Sequence, residues 1–301
     1  MSIESLIRNN STLLSLSRMI MRIGYSVFPS ITIRFVYRLR LGRWPDLTNP
    51  KTFTEKMQWI RLHDTDLRKT LLADKYLVRD WISDKIGDKY LIPLLGAWDS
   101  FEDIDFSELP DKFVLKANHG SGYNLIVSDK SKLNLGVAKK LCNGWLKQNY
   151  GRDNLEPQYS AIPPKLIVEE FLENKGHGLD DYKVHCFKGE PMFIQHMVGR
   201  GNKNVEMCFY DTRWCRLSLT NSNYSIYSEK ISAPKTLTEL LEVAKVLADG
   251  FNYVRVDFYV LEDGTLKFGE MTFTPAAGIM KWKPEEYDLK LGEMMILPIE
   301  N

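Results

Sequence analysis

The chain lacks the sequence features of several large protein classes. It has four cysteines, Cys142, Cys186, Cys208 and Cys215. They form no C-x-x-C pair and have no histidine at metal-ligand spacing, so the sequence indicates neither a zinc site nor a disulfide framework. Arg8 and Arg18 interrupt the apolar N-terminal stretch, which excludes the unbroken run of a signal peptide or a membrane span. We therefore expect a protein of the reducing cytoplasm.

Two common nucleotide-binding motifs are absent as well. There is no G-x-x-x-x-G-K-[ST] phosphate loop and no succession of strand, G-x-G-x-x-G and helix. Strict alternation of strands and helices is missing, which argues against a doubly wound parallel sheet. Internal repeats and low-complexity linkers are also missing, and no nucleic-acid partner is expected.

What remains is an ordinary globular composition with unevenly distributed charge. Of the 301 residues, 44% are hydrophobic and 26% charged, enough for a sizeable core in one large or two or three small domains. The first 50 residues carry seven arginines against Glu4 and Asp46, although the net charge of the chain is only +1. This amphipathic start suits a peripheral contact with anionic lipid at the inner face of the membrane, or with an anionic polymer. A helix packed on its own domain is the alternative.

Hydrophobic periodicity separates a helical part from a mixed part. Residues 1–90 are predicted to be mainly helical, with apolar positions at helical spacing in 54–63 and 67–86. Short β-rich runs follow, namely FVLKA, NLIVSD, KLIVEEF, YKVHCFK, EPMFIQHMV and NYVRVDFYV.

Two helices interrupt these strands. The first is predicted at 135–148, with Val137, Leu141 and Trp145 on one face. The second follows a capping box in which Thr236 caps and Glu239 reaches back. Strands and helices thus mix, and the predicted class is α+β.

The most informative stretch is NYVRVDFYVLEDGTLKFGEMTFTP, in which two alternating segments flank an Asp-Gly dipeptide at 263–264. That dipeptide favours a two-residue type I′ turn, which sets Asp257 opposite Glu270 and Arg255 opposite Thr272. Alternation puts these four side chains on one face and apolar residues on the other.

The facing carboxylates of Asp257 and Glu270 require a positive partner, because Cβ atoms about 5 Å apart bring like charges together. Hard oxygen ligands favour Mg²⁺, held by one or two carboxylates and completed by substrate phosphates. The alternative is a structural network in which Arg255 alone neutralises the pair.

A second candidate element is a glycine-rich hairpin in KFVLKANHGSGYNLIV. A strand that carries Lys116 runs into the loop 118–122 before the next strand begins. Glycines let consecutive backbone N–H groups face an anion, and a strand lysine adds a point charge for phosphate. A simple turn is the alternative. In KLIVEEFLEN, Glu169 and Glu170 end an apolar strand, where solvated surface is the alternative to a binding role.

Taken in order, the lysine with its glycine loop, the VEEFL segment and the D-x12-E hairpin resemble the nucleotide-binding blocks of the ATP-grasp superfamily. The segments NPKTFTEKMQWIRLHD, ADKYLVRDWI and FGEMTFTPAAG resemble, more narrowly, the ATP-grasp proteins of teichuronopeptide biosynthesis, called TupA-like. The resemblance implies an ATP-grasp fold in which two α+β lobes sandwich the nucleotide. Its expected parts are a mainly helical region at 1–90, a small lobe with the phosphate loop at 91–165, and a C-terminal lobe at 166–301.

The resemblance also implies roles for individual residues. Lys116 would contact an α-phosphate, and the loop of His119, Gly120, Ser121 and Gly122 would close over the phosphates. Glu169 or Glu170 would accept from the adenine amino group or the ribose, and the backbone of Phe171 and Leu172 would contact the adenine edge. Asp257 and Glu270 would hold Mg²⁺, and Lys75 of the ADK element is a further candidate for a phosphate or substrate contact.

The sequence departs from the superfamily at Thr272, where many members have Asn. Thr is a poorer metal ligand, so the number of metal ions, one or two, stays open. Lys183 and His185 lie on one strand face and are candidates for the cleft, although a hydrogen-bonded core histidine explains His185 equally well. Asp180 and Asp181 are candidates for ribose contacts or simple caps of a loop end.

By the same resemblance, the expected reaction is ATP-dependent amide formation through an acyl phosphate. Mg²⁺, Lys116 and Arg255 would stabilise the transferring group, and Arg255 or Arg200 would stabilise a tetrahedral oxyanion. Lys183 is a further catalytic candidate. The carboxylate would be a uronic acid of a surface polysaccharide and the amine an amino acid.

Two other classes stay open at this point. Asp103-Ile104-Asp105 matches the D-x-D of glycosyltransferases, although the helical residues before it do not suit that fold. A non-catalytic polysaccharide-binding module would need an aromatic platform, and the seven tryptophans are scattered.

Overall fold

The computed structural model describes residues 11–173, 179–200, 205–221 and 224–298, without the side chains of 11–18 and of Arg200. The helices are α1 (Ser11–Val27), α2 (Pro29–Leu41), α3 (Phe53–His63), α4 (Arg68–Ala73), α5 (Val78–Ile86), α6 (Leu135–Leu146), α7 (Tyr150–Asn154), α8 (Leu237–Ala248) and α9 (Glu286–Glu293). Among the described residues, no helix combines the length and the apolar character needed to cross a membrane.

The strands form two main sheets and a small one. They are β1 (Leu94–Trp98), β2 (Phe113–Ala117), β3 (Asn124–Val127), β4 (Leu166–Glu170), β5 (Leu179–Phe187), β6 (Glu190–Arg200), β7 (Glu206–Asp211), β8 (Thr220–Asn221), β9 (Ser225–Ile226), β10 (Tyr253–Val260), β11 (Leu266–Thr272) and β12 (Trp282–Lys283). The four-stranded sheet has the order β1-β4-β2-β3, the six-stranded sheet β11-β10-β5-β6-β7-β9, and β12 pairs with β8. Every predicted strand is present, and the α+β class is confirmed.

The predicted helix at 67–86 is two helices, because the chain turns between α4 and α5. Asp74 accepts hydrogen bonds from the backbone N–H groups of Tyr76 and Leu77, at 2.8 and 3.2 Å. An Asp that bonds the backbone two and three residues on replaces the helical pattern by a turn. The apolar periodicity continues through this turn, which explains why the sequence predicts one helix. The turn brings Lys75 to the centre of the molecule.

Each main sheet has its own hydrophobic core. The four-stranded sheet packs against α6. One face of the six-stranded sheet carries Val254, Val256 and Phe258, as predicted, and is covered by α8 and α5. The other face packs at one end against α3 and α9. Its remaining part carries polar side chains, and these form the candidate site.

The boundary between the sheets falls after β4, which pairs with β1 and β2. The four-stranded sheet therefore extends one strand beyond residue 165, where the sequence analysis ends the small lobe. The predicted helix faces also need correction. On α6, Ala138, Cys142 and Trp145 are buried, whereas Val137 and Leu141 are exposed.

The predicted capping box at α8 does not form. Thr236 makes no side-chain cap, and the Glu239 carboxylate instead accepts hydrogen bonds from the Tyr90 hydroxyl at 2.7 Å and from Lys89 at 3.0 Å. Lys89 and Tyr90, which are far from Glu239 in the sequence, thus replace the backbone N–H group that a capping box would offer to this carboxylate. A capping box is present at α3, where Thr52 and Glu55 cap each other's backbone.

The β10–β11 hairpin has the predicted pairs at its functional end but not the predicted turn. Asp257 faces Glu270 and Arg255 faces Thr272. Nearer the turn, however, Val260 faces Leu266, and Leu261 bonds to Thr265. The loop is thus one residue longer than a type I′ turn.

A β-bulge at Gly269 restores the predicted register. The pairing shifts between Asp257 and Phe258, which leaves Gly269 as the extra residue of β11. A Cβ at that position would lie 3.0 Å from the Asp257 carbonyl oxygen, so glycine allows this close approach. The bulge sits directly beside Glu270.

Candidate active site

The site lies where the hairpin of the six-stranded sheet meets the glycine loop of the four-stranded sheet. Asp257 is buried and bound by two cations. Its Oδ1 accepts from Arg255 Nε at 2.6 Å, and its Oδ2 accepts from the other end of the Arg255 guanidinium at 2.7 Å and from Lys183 Nζ at 2.5 Å. Asp257 therefore uses three of its roughly four acceptor positions.

Glu270 is more open than Asp257 and less saturated. Its Oε1 accepts from the Thr272 hydroxyl at 3.2 Å and lies 3.5 Å from Arg255. Its Oε2 lies 3.6 Å from Lys75 Nζ, which is an ion-pair distance and not a hydrogen bond. The side chain of Glu270 is 28% exposed, so Oε2 is accessible to a ligand.

Electrostatic interactions keep Glu270 and Arg255 of this hairpin charged. Burial opposes ionisation of Glu270, but Lys75 and Arg255 outweigh it and hold the pKa of that carboxyl below its usual value. Burial likewise disfavours the Arg255 cation, yet Asp257 and Glu270 raise the pKa of the guanidinium. The Glu270 carboxylate is therefore ionised at neutral pH.

These residues fit a bound Mg²⁺ whose shell is completed by phosphate. Two facing carboxylates with free acceptor positions are the protein ligands that Mg²⁺ typically uses in ATP sites. Among the described residues, no group of three or more His, Cys, Asp or Glu forms a metal cage. The two carboxylates therefore suit a Mg²⁺ ion whose other ligands are phosphate oxygens. The Arg255 bridge, foreseen as the alternative to a metal, is present as well.

The glycine loop is fastened to the turn between α4 and α5. Buried Asn118 donates to Asp74 Oδ1 at 2.9 Å and to the Pro163 carbonyl at 3.0 Å, and its oxygen accepts from the Lys165 N–H at 2.7 Å. Lys75 Nζ donates to the Gly120 carbonyl at 2.5 Å. Lys75 therefore connects the glycine loop with Glu270 of the hairpin.

We expect Asn118→Ala to destabilise the protein by about 2 to 4 kcal/mol, because three hydrogen bonds of a buried amide are lost and the Pro163 carbonyl and the Lys165 N–H lose this partner. Denaturant unfolding measures the loss. Asn143→Ala, on the partly exposed side of α6, is the control and should change stability by less than about 0.5 kcal/mol. Equal stability of the two variants would contradict the role of Asn118.

Of the four loop residues that are predicted to contact phosphate, His119 and Gly120 are buried, whereas Ser121 and Gly122 form an open tip. His119 is buried, with Nε2 3.1 Å from the Trp145 carbonyl, and burial lowers its pKa, so it is a neutral anchor to α6. Ser121 and Gly122 are exposed, and Gly122 has a φ of 77°. A Cβ on Gly120 would lie 2.8 Å from the Tyr150 ring, so only glycine fits there. The open tip leaves backbone N–H groups for an anion.

Lys116 and Glu169 meet across β2 and β4. The Lys116 ammonium forms a close ion pair with the Glu169 carboxylate, which also accepts from Arg79 at 3.2 Å. Arg79 was not foreseen as a site residue, although it lies in the ADKYLVRDWI segment. Glu169 is therefore bound to two cations, whereas Glu170 is exposed. Phe171 and Leu172 follow as half-buried residues, and the adenine contacts of all four stay predictions.

Further side chains of β5 and β6 have distinct surroundings. Lys183 is buried between Asp257 and Asp181, at 2.8 Å from Asp181 Oδ2. Asp180 lies 3.6 Å from His196. His185 is a hydrogen-bonded core histidine, which is the alternative given in the sequence analysis. Its Nδ1 lies 2.9 Å from the Tyr253 hydroxyl, and burial pushes the pKa of the imidazole well below its usual value. Arg200 ends β6, and its side chain lies outside the described residues.

The sequence analysis missed an acid beside the hairpin. Glu156 is buried, accepts from the Thr274 hydroxyl at 2.6 Å, and has a pKa that burial raises above its usual value. Thr274 follows β11, and Gln158 donates to its hydroxyl at 2.7 Å. No periodicity or local motif marks Glu156, since its hydrogen-bond donor Thr274 lies 118 residues away. It places a buried acid at the end of the β10–β11 hairpin.

The D-x-D acids of the transferase alternative are used in local turns. Asp103 accepts from the Ser100 hydroxyl at 2.7 Å, and Asp105 accepts from the N–H and hydroxyl of Ser107 at 2.9 and 2.6 Å. Both are exposed on the four-stranded lobe. Ordinary turn chemistry accounts for this motif.

Comparison with known proteins identifies a family. The family described as TupA-like ATPgrasp matches residues 55–296. Among curated proteins, no sequence matches the chain. Solved structures with a related fold include D-alanine–D-alanine ligase from Bacillus anthracis complexed with ATP, at 17% identity over 75% of this chain and 65% of that one, with a TM-score of 0.43.

Two further structures are comparably distant. The ATP-grasp ligase PsnB, complexed with a phosphomimetic variant of its minimal precursor, Mg and ADP, is 14% identical over 79% of this chain and 63% of its own, with a TM-score of 0.40. The ADP complex of purK, N5-carboxyaminoimidazole ribonucleotide synthetase, is 12% identical over 73% and 50%, with a TM-score of 0.40. The chain thus spans between half and two thirds of these proteins.

The family match extends from α3 to the end of α9 and beyond, and so includes every candidate site residue. It confirms the predicted resemblance and the ATP-grasp fold. It also agrees with the predicted ATP-dependent ligase and with ATP and Mg²⁺ as cofactors. The chain belongs to the TupA-like ATP-grasp family.

Proposed function

We propose that the protein joins a uronic acid of a surface polysaccharide, or of its precursor, to an amino acid or another amine. ATP would drive the reaction, and the product would be an amide. The observation that carries this proposal is the meeting of the Asp257–Glu270 pair with the glycine loop through Lys75, which contacts both. The Lys75 ammonium thus contacts both the carboxylate pair that is proposed to hold a metal and the glycine loop that is proposed to bind phosphate.

The proposed first step is phosphoryl transfer. An oxygen of the substrate carboxylate attacks the γ-phosphorus, the bond to the bridging oxygen of the β-phosphate breaks, and ADP leaves behind an acyl phosphate. Lys116 of β2 and Lys75, which contacts the glycine loop, would bind the phosphates. Asp257 and Glu270 would hold Mg²⁺, which supplies charge neutralisation at the phosphate oxygens when bound. Arg255 and Lys183 keep Asp257 oriented and add positive charge.

The second step forms the amide bond. The amine nitrogen attacks the acyl carbon, a tetrahedral oxyanion forms, and the phosphate leaves while the nitrogen loses a proton. Positive groups aimed at the oxyanion would lower this barrier. Arg255 and Arg200 are the candidates for that role, and Glu156 is positioned beside the hairpin to accept a proton or bind an ammonium group.

The polysaccharide substrate rests on the family resemblance, and the cytoplasm is the proposed location because the reaction consumes ATP. All four cysteines are free, which agrees with that setting. An acceptor attached to a lipid carrier would bring the reaction to the inner face of the membrane.

The substrate proposal is tested by the dependence of product formation on both partners. We expect ADP and phosphate to appear only when a uronate and an amine are supplied together with ATP, and mass spectrometry should find the amide. Phosphate release at the same rate when the uronate is left out, or an amide made from a different carboxylate, would contradict the substrate. A nucleoside diphosphate released from a nucleotide-sugar would favour a transferase.

A further inference from the structure

We propose that the N-terminal helix pair, α1 and α2, docks the protein on an anionic membrane surface. Large apolar side chains are unusually exposed in this pair. In the pair, at the junction between its helices and just after α2, nine of them are 51–65% exposed, namely Met19, Ile20, Ile23, Val27, Phe28, Ile31, Phe35, Leu39 and Trp44. In the rest of the described chain only Leu67, Ile126, Val137 and Ile296 are as exposed. A patch of this density marks an interaction surface.

The exposed side chains follow the helical repeat. On α1 they are spaced by three and four residues, at Ile20, Ile23 and Val27, and on α2 by four, at Ile31, Phe35 and Leu39. Each set therefore forms a stripe along one helix face. We call the second set the α2 stripe. Phe28, which is also exposed, lies between the two helices.

The opposite faces hold the helices to the body of the protein. Ile33 and Tyr37 of α2 are buried, and the Tyr37 hydroxyl lies 2.8 Å from the Thr54 hydroxyl. The Tyr25 hydroxyl of α1 donates to the Arg61 carbonyl at 3.2 Å. The packed-helix alternative of the sequence analysis is thus correct for one face only. The other face has no partner among the described residues.

Charge identifies the kind of partner. Residues 11–45 contain six arginines and no acidic residue or lysine. Arg38 and Arg40 are exposed at the end of α2, beside the stripe. An apolar helix face flanked by arginines, with a tryptophan at its edge, is the composition of helices that lie in the interface of anionic bilayers. A second copy of the chain would bring the same positive charges against each other.

The inference is independent of the proposed reaction, because vesicle binding is measured without turnover. In flotation with vesicles of phosphatidylcholine and phosphatidylglycerol, we expect the full chain to bind, and to bind at least tenfold more weakly to phosphatidylcholine alone. Arg38→Gln with Arg40→Gln should weaken binding by about fivefold for each arginine. Replacing the α2 stripe by Ile31→Ser, Phe35→Ser and Leu39→Ser should weaken it by at least about a hundredfold.

A matched variant separates the stripe from apolarity in general. Leu67→Ser, Val137→Ser and Ile296→Ser remove three side chains of similar exposure elsewhere, and this variant should bind vesicles like the parent. Equal binding by the two triple variants would overturn the proposal. So would an α2-stripe variant that binds vesicles normally, or a parent that forms dimers, dissociated by the stripe variant, without binding vesicles. Binding to soluble polyglutamate that competes fully with vesicles would assign the surface to an anionic polymer instead.

Discussion

Glu270→Gln is expected to lower ATP-dependent phosphate release by roughly 10²-fold or more. The neutral amide removes the charge of the more accessible carboxylate, whose Oε2 has no hydrogen-bond donor within the described site, and so removes a ligand for Mg²⁺. The fold should persist, because the side chain is partly exposed and an amide can still accept from Thr272. Coupled detection of phosphate, together with Mn²⁺ binding in the presence of ATP, measures both effects.

The matched control is Glu173→Gln, which neutralises an exposed glutamate that pairs with Lys112 on the four-stranded lobe. Its turnover and metal affinity should equal those of the parent. Turnover of Glu270→Gln within a factor of two of the parent would mean that the hairpin holds no metal, and that Arg255 alone neutralises the carboxylates.

Lys116→Ala is expected to weaken ATP binding by roughly 1.5 to 3 kcal/mol, the range for hydrogen bonds to charged groups. The ammonium of Lys116 is paired with Glu169 in the ligand-free protein, so nucleotide binding would draw it from that carboxylate. Arg79 keeps Glu169 neutralised in the variant, and we therefore expect only a small loss of stability. Calorimetric titration with a non-hydrolysable ATP analogue measures the affinity.

Lys112→Ala provides the control for this lysine. Lys112 precedes β2 and pairs with Glu173 in solvent, so its loss removes a similar ion pair from the same lobe without touching the loop. Its nucleotide affinity should match the parent. Equal affinity of Lys116→Ala and Lys112→Ala would refute the phosphate role of Lys116.

The hairpin illustrates how far sequence reasoning reaches. Alternation correctly assigned the polar and apolar faces of β10, because a period of two survives any error in the turn. The predicted pairing of Asp257 with Glu270 is correct, although the type I′ turn on which the prediction rests does not form. The longer loop moves the register by one residue, and the bulge at Gly269 moves it back.

What the sequence did not indicate depends on contacts between distant segments. Arg79 reaches Glu169, and Thr274 reaches Glu156, across about 90 and 118 residues. Glu239 leaves its predicted cap for Tyr90 for the same reason. Local propensity predicts the structure that a segment would form by itself. The partner of a charged side chain depends instead on which distant residues the fold brings next to it.

If the site makes an amide through an acyl phosphate, one oxygen atom of the substrate carboxylate must end in the released phosphate. The protein is supplied with ATP, an amine and a uronate whose carboxylate is labelled with ¹⁸O, and the released phosphate is examined by ³¹P NMR or mass spectrometry. We predict that each phosphate carries one ¹⁸O atom, because the carboxylate oxygen that attacks the γ-phosphorus leaves with it. Amide formation with unlabelled phosphate would contradict this account.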